Sequence, residues 1–295
     1  MTDTQLSTPL TKDQAYALVD AVMERDDLAL NASAYEDESG EWVFEATCLG
    51  KPDIEAFNAL AAEVLGGSVG FSTQQLDRDI DWVAKSLEGL QPVHAGGFFV
   101  YGSHDQETVP PGHIPIQIDA AQAFGTGHHE TTTGCLEAIN DILKYKKPTH
   151  MLDVGTGTGI LAIALAKRTH LPVIASDIDP VCVSTTRANA RQNRVSQNIV
   201  AVEAAGLGHR FITDNGPYDM IVANILAGPL AQLAPAMGRA AMPGGSLILS
   251  GILMSQAARI KAAYGQQGFI FKHQLTRKNW VTLIFEKAKA SKRRS

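Results

Sequence analysis

The stretch M-L-D-V-G-T-G-T-G-I-L-A-I-A-L-A-K-R-T-H-L-P-V-I-A-S-D-I-D, Met151 to Asp179, decides the fold. It predicts a short apolar strand (His150 to Val154), a glycine loop, a helix from Ile160 to Lys167, and a second strand that leads to Asp177. A glycine loop at the carboxyl edge of a parallel sheet lets a ligand approach the backbone, and an acid after the next strand can accept hydrogen bonds from ribose hydroxyls. The stretch therefore predicts a nucleoside-binding half-site.

The spacing of the loop glycines separates two classes of nucleoside cofactor. The loop reads G-x-G-x-G, whereas the dinucleotide fingerprint is G-x-G-x-x-G, and Ile160 stands where its last glycine would be. NAD is therefore disfavoured. Asp153, two residues before the first glycine, would repel a pyrophosphate but suits a ligand with a cationic amino-acid end. The pattern D-x-G-x-G-x-G, followed by Asp177, resembles the S-adenosylmethionine motif of class I methyltransferases; the competing interpretation is a strand-to-helix turn that needs glycine only for packing.

Composition limits the remaining classes. The chain has 295 residues, of which 45% are hydrophobic and 19% charged, as expected for an ordinary globular protein with room for two domains. A net charge of -6 gives no general reason to expect nucleic-acid binding, DNA included. Three distant cysteines without a C-x-x-C pair argue against a disulfide framework or a zinc site. No apolar run is long enough for a membrane span and no signal peptide is recognisable, so the cytoplasm is the expected compartment.

The first 78 residues predict a small α+β, ferredoxin-like domain. Residues 1–9 are polar and are expected to be loose. They are followed by a helix to about Arg25, two strands (Leu28 to Tyr35 and Trp42 to Cys48), a helix from Ile54 to Leu65, and a strand from Ser68 to Gln74. A strand before the first helix is not expected. Residues 79–112 are interpreted as a connector with a helix around Trp82.

Residues 113–287 predict the larger, Rossmann-like domain. After a strand from Ile114 to Ile118, the loop A-F-G-T-G-H-H-E-T-T-T, Ala123 to Thr133, precedes a helix that starts near Gly134. The loop is interpreted either as a flap over the ligand or as plain threonine capping of the helix. Adjacent His128 and His129 have no spaced acidic or cysteine partner, so no metal is expected. Seven strands, with helices between the first five and a closing antiparallel hairpin, are predicted from residue 150 onward.

Asn224 is the candidate catalytic residue. It ends the predicted strand Tyr218 to Ala223, at the edge where ligands bind in such sheets, and its side-chain oxygen can orient an incoming amine. A purely structural Asn that caps the strand is the competing interpretation. Enzymes of this fold that methylate planar nitrogens carry an aromatic ring in N-P-P-Y or D-P-P-Y, whereas this chain has Asn-Ile-Leu-Ala. The pattern therefore favours a flexible aliphatic amine.

Taken together, the motifs A-F-G-T-G-H-H-E-T-T, L-D-V-G-T-G-T-G-I-L-A-I-A, D-I-D-P, V-A-N-I-L-A-G-P-L and L-S-G-I-L resemble the bacterial ribosomal protein L-eleven methyltransferase family, over roughly residues 114–286. The resemblance implies methylation of lysine ε-amines and the N-terminal α-amine of that ribosomal protein, free or in the assembling large subunit. It also implies that the N-terminal domain recognises the substrate. The residues it assigns to S-adenosylmethionine are Thr132, Gly155, Gly157, Asp177 and Asn224, with Phe124 and Thr126 in a wall formed by Phe124 to His129.

Two alternatives stay open for the activity: a class I methyltransferase for another protein or a small-molecule amine, and a non-catalytic adenosyl-binding module. The basic tail, residues 288–295 with the adjoining Lys287, is interpreted as a solvated, disordered segment or as a weak contact to ribosomal RNA.

Overall fold

The computed structural model describes residues 3–23, 25, 28–29, 31–37, 40–75, 92–102, 109–118 and 128–289. The chain divides into two compact units, residues 1–82 and 83–295. The connector helix predicted around Trp82 and the boundary placed near residue 78 lie outside the described residues and stay predictions. The same holds for Phe124, Thr126 and residues 290–295 of the tail.

The first unit is a four-stranded antiparallel sheet with two helices. The order of its strands in space is β2-β3-β1-β4, as in a ferredoxin-like fold. Leu6, Leu18, Phe44 and Phe57, each 0% exposed, form its core between the sheet and the helices. The elements are β1 (Asp3–Leu10), α1 (Lys12–Met23), β2 (Asn31–Glu36), β3 (Trp42–Leu49), α2 (Ile54–Leu65) and β4 (Ser72–Gln75).

Strand β1 corrects the expectation that residues 1–9 are loose and that no strand precedes the first helix. It is a central strand, which pairs with β3 on one side and β4 on the other. Its core-facing positions are Thr4, Leu6 and Thr8, of which only one is apolar, so the alternation that reveals a half-buried strand was not visible in the sequence.

The second unit contains a seven-stranded sheet, ordered β10-β9-β8-β11-β12-β14-β13. Neighbours from β10 to β12 pair in parallel, and β14 is antiparallel to both strands beside it, which confirms the predicted closing hairpin. The strands are β8 (Met151–Val154), β9 (Val173–Asp177), β10 (Ile199–Glu203), β11 (Tyr218–Asn224), β12 (Ala241–Leu253), β13 (Phe269–Arg277) and β14 (Trp280–Lys287).

Helices cover both faces of this sheet, and each face has its own apolar core. The helices are α3 (His128–Leu143), α4 (Ile160–Thr169), α5 (Pro180–Gln192), α6 (Arg210–Asp214), α7 (Ala227–Ala240) and α8 (Ala257–Gln266). A smaller sheet of β5 (Val93–Ala95), β6 (Phe98–Tyr101) and β7 (Ile114–Gln117) shares its core with α3 and α4. Residues 93–101, assigned to the connector from the sequence, therefore pack as part of the second unit.

Helix α3 begins six residues before the predicted start near Gly134, so Thr131 to Thr133 are helical and buried rather than part of an exposed loop. In the described part of the chain, no helix is long and apolar enough to cross a membrane. The three cysteines are free.

Candidate active site

The glycine loop lies between β8 and α4. Gly155, Gly157 and Gly159 have φ of 69°, 55° and 87°, in the left-handed region that side chains disfavour. The N–H groups of Gly155 and Thr156 both donate to the Ser176 carbonyl, at 2.8 and 2.9 Å, which fastens the loop to the end of β9. A Cβ at Gly155 would lie 2.2 Å from Ile225 Cγ2. Glycine is therefore required here both by the backbone conformation and by the close passage of the chain that follows β11.

Asp177, at the end of β9, holds this loop in place. Its Oδ2 accepts a hydrogen bond from the Gly157 N–H at 2.8 Å, and its Oδ1 accepts one from the Asp179 N–H at 3.1 Å. Each carboxylate oxygen keeps a further lone pair. The side chain is half-buried, so the same carboxylate can order the loop and accept hydrogen bonds from a ligand diol.

Asp153, in β8, is a buried carboxyl group of which only one oxygen accepts hydrogen bonds from described residues. It is 1% exposed. Its Oδ2 accepts from Thr156 Oγ1 at 2.7 Å and from the Ala162 N–H at 3.1 Å, whereas its Oδ1 has no hydrogen-bond partner in the part of the chain that the structure describes. Burial raises the pKa of Asp153 to about 7; the two hydrogen bonds lower this pKa and the charge of Asp177 raises it further. A cationic group beside Oδ1 would satisfy the orphaned oxygen and favour the ionised form.

Asn224 ends β11 at the same edge of the sheet. Its Nδ2 donates to Thr132 Oγ1 at 3.4 Å, although the two residues are far apart in the chain. Its Oδ1 is buried, and no described residue hydrogen-bonds to it. Asp153 pairs with Val222 across the β8–β11 ladder, two residues before Asn224, so the two unpartnered acceptors belong to adjacent strands. Buried polar atoms without partners are uncommon, and a bound ligand is one way to supply the missing donor.

The structure thus brings five of the residues selected from the sequence to the carboxyl edge of one sheet: Thr132, Gly155, Gly157, Asp177 and Asn224. Phe124 and Thr126 lie outside the described residues, and only the helical backbone of His128 and His129 is described. Among the described residues, no group of three or more His, Cys, Asp or Glu side chains could hold a metal ion.

Sequence reasoning missed Ser250 and Thr282, two hydroxyl residues that are 0% and 2% exposed and lie directly below the first turns of α3. Their hydroxyls lie 2.8 Å apart. The available signal was the Ser-Gly pair inside the apolar run L-S-G-I-L, because a glycine within a strand often marks a bulge.

A separate, largely apolar groove of about 300 Å³ lies between the C-terminal half of α3 and the β13–β14 hairpin. Lys146, Ser246 and Glu286 line it, with a Lys146–Glu286 ion pair of 2.8 Å. None of the site residues described above lines this groove.

The sheet order, the glycine loop after the first strand and the acid after the second define a class I methyltransferase, whose methyl donor is S-adenosylmethionine. The profile of the ribosomal protein L11 methyltransferase family (PrmA) matches residues 12–288, and the chain belongs to this family.

Relatives support this membership along nearly the whole chain. The ribosomal protein L11 methyltransferase of Brucella suis is 44% identical over 271 residues, covering 92% of this chain and 94% of the relative. That of Rhizobium meliloti is 43% identical over 291 residues, covering 96% and 99%. The crystal structure of a ribosomal protein L11 methylase from Lactobacillus delbrueckii subsp. bulgaricus has a TM-score of 0.58 at 29% identity, covering 65% of this chain and 94% of that one. The profile match begins at residue 12 and so includes the N-terminal unit, which the motifs quoted from the sequence did not reach.

Proposed function

We propose that this protein methylates amino groups of ribosomal protein L11, with S-adenosylmethionine as the methyl donor. One observation supports the assignment of the site: two buried acceptors, Asp153 Oδ1 and Asn224 Oδ1, have no hydrogen-bond partner among the described residues and lie on adjacent strands at the carboxyl edge of the sheet, beside a glycine loop. A cationic amino-acid group and an incoming amine are the kinds of donor that such acceptors require.

The residues of this edge fit the donor molecule group by group. S-adenosylmethionine supplies a methyl group on a positively charged sulfur, and it also carries a ribose diol and an α-ammonium group. We infer that Asp177 accepts from the diol and that Asp153 Oδ1 accepts from the ammonium. The bare backbone of Gly155 and Gly157 leaves room for the ligand to lie against the loop.

Asn224 is the proposed catalytic residue. Its Nδ2 lies 3.4 Å from Thr132 Oγ1, and this contact leaves Oδ1 as the acceptor for one N–H of the amine, which directs the lone pair of the nitrogen. Positioning of this kind is the main contribution that a protein makes to a displacement reaction. The amine must be neutral to react, and desolvation at a buried site lowers the pKa of a lysine from its reference value of about 10.4. The oxygen of an amide accepts hydrogen bonds without removing a proton, so Asn224 orients the nucleophile and does not act as a base.

The substrate amines we propose are lysine ε-amines and the N-terminal α-amine of ribosomal protein L11. Asn224-Ile225-Leu226 offers no aromatic ring for a planar nitrogen, which supports flexible aliphatic amines. Residues 1–78 are the proposed recognition domain, and residues 79–92 are the proposed connector. The catalytic domain, predicted as residues 113–287, is extended to include residues 93–101, which pack in the second unit. Residues 288–295 are proposed as a basic tail that contacts ribosomal RNA weakly. The proposed compartment is the cytoplasm, where ribosomal subunits assemble. The proposed wall, including Phe124 and Thr126, completes the site.

The test is a labelling experiment on an extract from a strain that lacks the gene for this protein. Purified protein and S-adenosylmethionine labelled in the methyl group are added, and labelled proteins are separated by mass. We expect one dominant labelled band that comigrates with ribosomal protein L11. Label on a different protein, or only on small molecules, would contradict the proposed substrate while leaving the class of reaction intact.

A further inference from the structure

A β-bulge interrupts the pairing of β12 with β14 next to the candidate active site. Leu249 pairs with Leu283 and Ile252 with Val281, so Ser250 and Gly251 together face the single residue Thr282. Gly251 has a φ of 81°, a conformation that glycine adopts without strain. Bulges place an extra residue in one strand and redirect the side chains around it. Here the residues of the bulge contact both α3, which carries Thr132, and the chain that follows Asn224.

The first contact is a chain of hydroxyl groups that ends at α3. The Ser250 hydroxyl lies 2.8 Å from that of Thr282, 3.3 Å from the Thr131 carbonyl and 3.4 Å from the Val281 carbonyl, and it can donate its one proton to either carbonyl. When Thr282 donates to Ser250 and Ser250 donates to Thr131, both hydroxyl protons are used. A Cβ at Gly134 would lie 2.2 Å from Thr282 Oγ1, so α3 packs directly on β14 at this point. The bulge thereby fixes the residue that immediately precedes Thr132.

The second contact is to the chain that follows Asn224. Asn224 pairs with Ser250 in the parallel ladder between β11 and β12. A Cβ at Gly251 would lie 2.3 Å from the Ile225 carbonyl oxygen. The backbone at residue 225 therefore passes closely over the bulge, and its path depends on the glycine. One irregularity in the sheet sets the position of both Thr132 and Asn224.

Ion pairs also connect α3 to the β13–β14 hairpin. Lys278 pairs with Glu130, and Arg277 pairs with Glu137, joining the turn of the β13–β14 hairpin to α3. The Lys278 side chain is 80% exposed, and an exposed pair contributes at most about 1 kcal/mol. The fully buried hydroxyl chain is thus the more constraining connection.

We propose that Ser250, Gly251 and Thr282 are positioning residues for methyl transfer: the bulge sets the contact between Thr132 Oγ1 and Asn224 Nδ2 and, through it, the direction of Asn224 Oδ1. This inference rests on the proposed function, because it assumes that Asn224 orients the amine. None of the three residues is proposed to touch the reacting atoms. They act on the rate through the geometry of Asn224.

The test compares variants that remove one hydroxyl at a time. Ser250→Ala removes the link to Thr131, Thr282→Val removes a hydroxyl at nearly constant shape, and Thr282→Ser retains it. Ser246→Ala is the matched control, because Ser246 is the same residue type on the same strand, 4% exposed, and hydrogen-bonded to Lys146 instead. For each variant, kcat and KM for ribosomal protein L11 are measured together with the unfolding temperature.

We expect Ser250→Ala and Thr282→Val to lower kcat about tenfold, the loss typical of one hydrogen bond, with little change in KM. Thr282→Ser should keep kcat near that of the unchanged protein. Ser246→Ala should lower the unfolding temperature without lowering kcat.

The proposal is overturned if Ser250→Ala and Thr282→Val lower only the unfolding temperature, or if Thr282→Ser loses as much kcat as Thr282→Val. Asn224→Ala, measured in parallel, separates this failure from failure of the proposed site. If Asn224→Ala is inactive while the hydroxyl variants are fully active, only the positioning role of Ser250 and Thr282 is refuted. If Asn224→Ala is fully active, both the catalytic role of Asn224 and the positioning role of the bulge are refuted.

Discussion

Replacement of Asp153 by Asn should change how the stability of the cofactor-free protein depends on pH. Burial raises the pKa of Asp153 from 3.8 to about 7. Between these values the folded protein keeps a proton that the unfolded chain has lost, so the contribution of Asp153 to stability falls as the pH rises across this window. A shift of about three pKa units, at about 1.4 kcal/mol each, means that ionised Asp153 lowers the free energy of unfolding by about 4 kcal/mol above pH 7.

An asparagine at position 153 carries no charge and so avoids this cost. Its amide oxygen can accept from Thr156 Oγ1 and Ala162 N as Oδ2 does, but its NH₂ takes the position of the unpartnered Oδ1. An unpaired buried donor costs about 1 to 3 kcal/mol. The variant should therefore be more stable than the unchanged protein by about 1 to 4 kcal/mol above pH 7, and of similar stability below pH 4, where the protonated Asp153 also buries an O–H donor without a partner.

The assay is urea unfolding of both proteins at pH 5 and pH 8 without cofactor. The free energy of unfolding of Asp153→Asn minus that of the unchanged protein should be about 2 to 3 kcal/mol larger at pH 8 than at pH 5. Other titrating groups are common to both proteins and cancel in this difference. A difference that is the same at both pH values would refute the assignment of a buried, half-satisfied carboxyl group to Asp153. In contrast to its effect on stability, the substitution should weaken binding of S-adenosylmethionine, because the α-ammonium group loses its anionic acceptor.

Three further predictions follow from the geometry. Asp177→Ala should weaken cofactor binding by about 1.5 to 3 kcal/mol in calorimetry, since the ribose loses its acceptor and Gly157 its hydrogen bond; unchanged affinity would refute the role of Asp177. Gly159→Ala should destabilise the protein by about 1 to 2 kcal/mol, because φ is 87° and Thr186 lies 2.9 Å from the added Cβ. Gly265→Ala, in helix α8 with open space around it, is the control and should be neutral or slightly stabilising; equal losses in the two variants would contradict this reasoning. Phe57→Ala should destabilise the N-terminal unit by about 3 to 5 kcal/mol and abolish methylation of the protein substrate while leaving cofactor binding intact; retained methylation with that unit unfolded would argue against its recognition role.

The sequence predicts those parts of the fold whose physical causes are local. The glycines of the loop between β8 and α4 are needed for positive φ at three nearby positions, and a pattern of this kind is visible in any single sequence. The buried parallel strands are likewise visible, since they consist of short apolar runs between turn residues. The placement of Asp177 and Asn224 at one edge is predictable because strand ends in a parallel sheet converge there.

The remaining features depend on contacts between distant residues. Strand β1 was missed because Thr4 and Thr8 are buried at core-facing positions, where a pattern based on apolar residues registers only Leu6. The start of α3 was placed too late because Thr131 to Thr133 are typical of a capped loop, whereas burial against β12 and β14 stabilises them as helix. The bulge at Ser250 and Gly251 is a property of strand register, and register is decided by the partner strand.

The central claim is that the carboxyl edge around Asn224 directs methyl transfer from S-adenosylmethionine to amines of ribosomal protein L11. The most direct measurement is mass spectrometry of purified ribosomal protein L11 after incubation with S-adenosylmethionine and either the unchanged protein or Asn224→Ala. The unchanged protein should add whole methyl groups to amino groups, and Asn224→Ala should add none in the same time although it unfolds at a similar temperature. Methylation by Asn224→Ala at the normal rate, or no methylation by the folded, unchanged protein, would contradict the account.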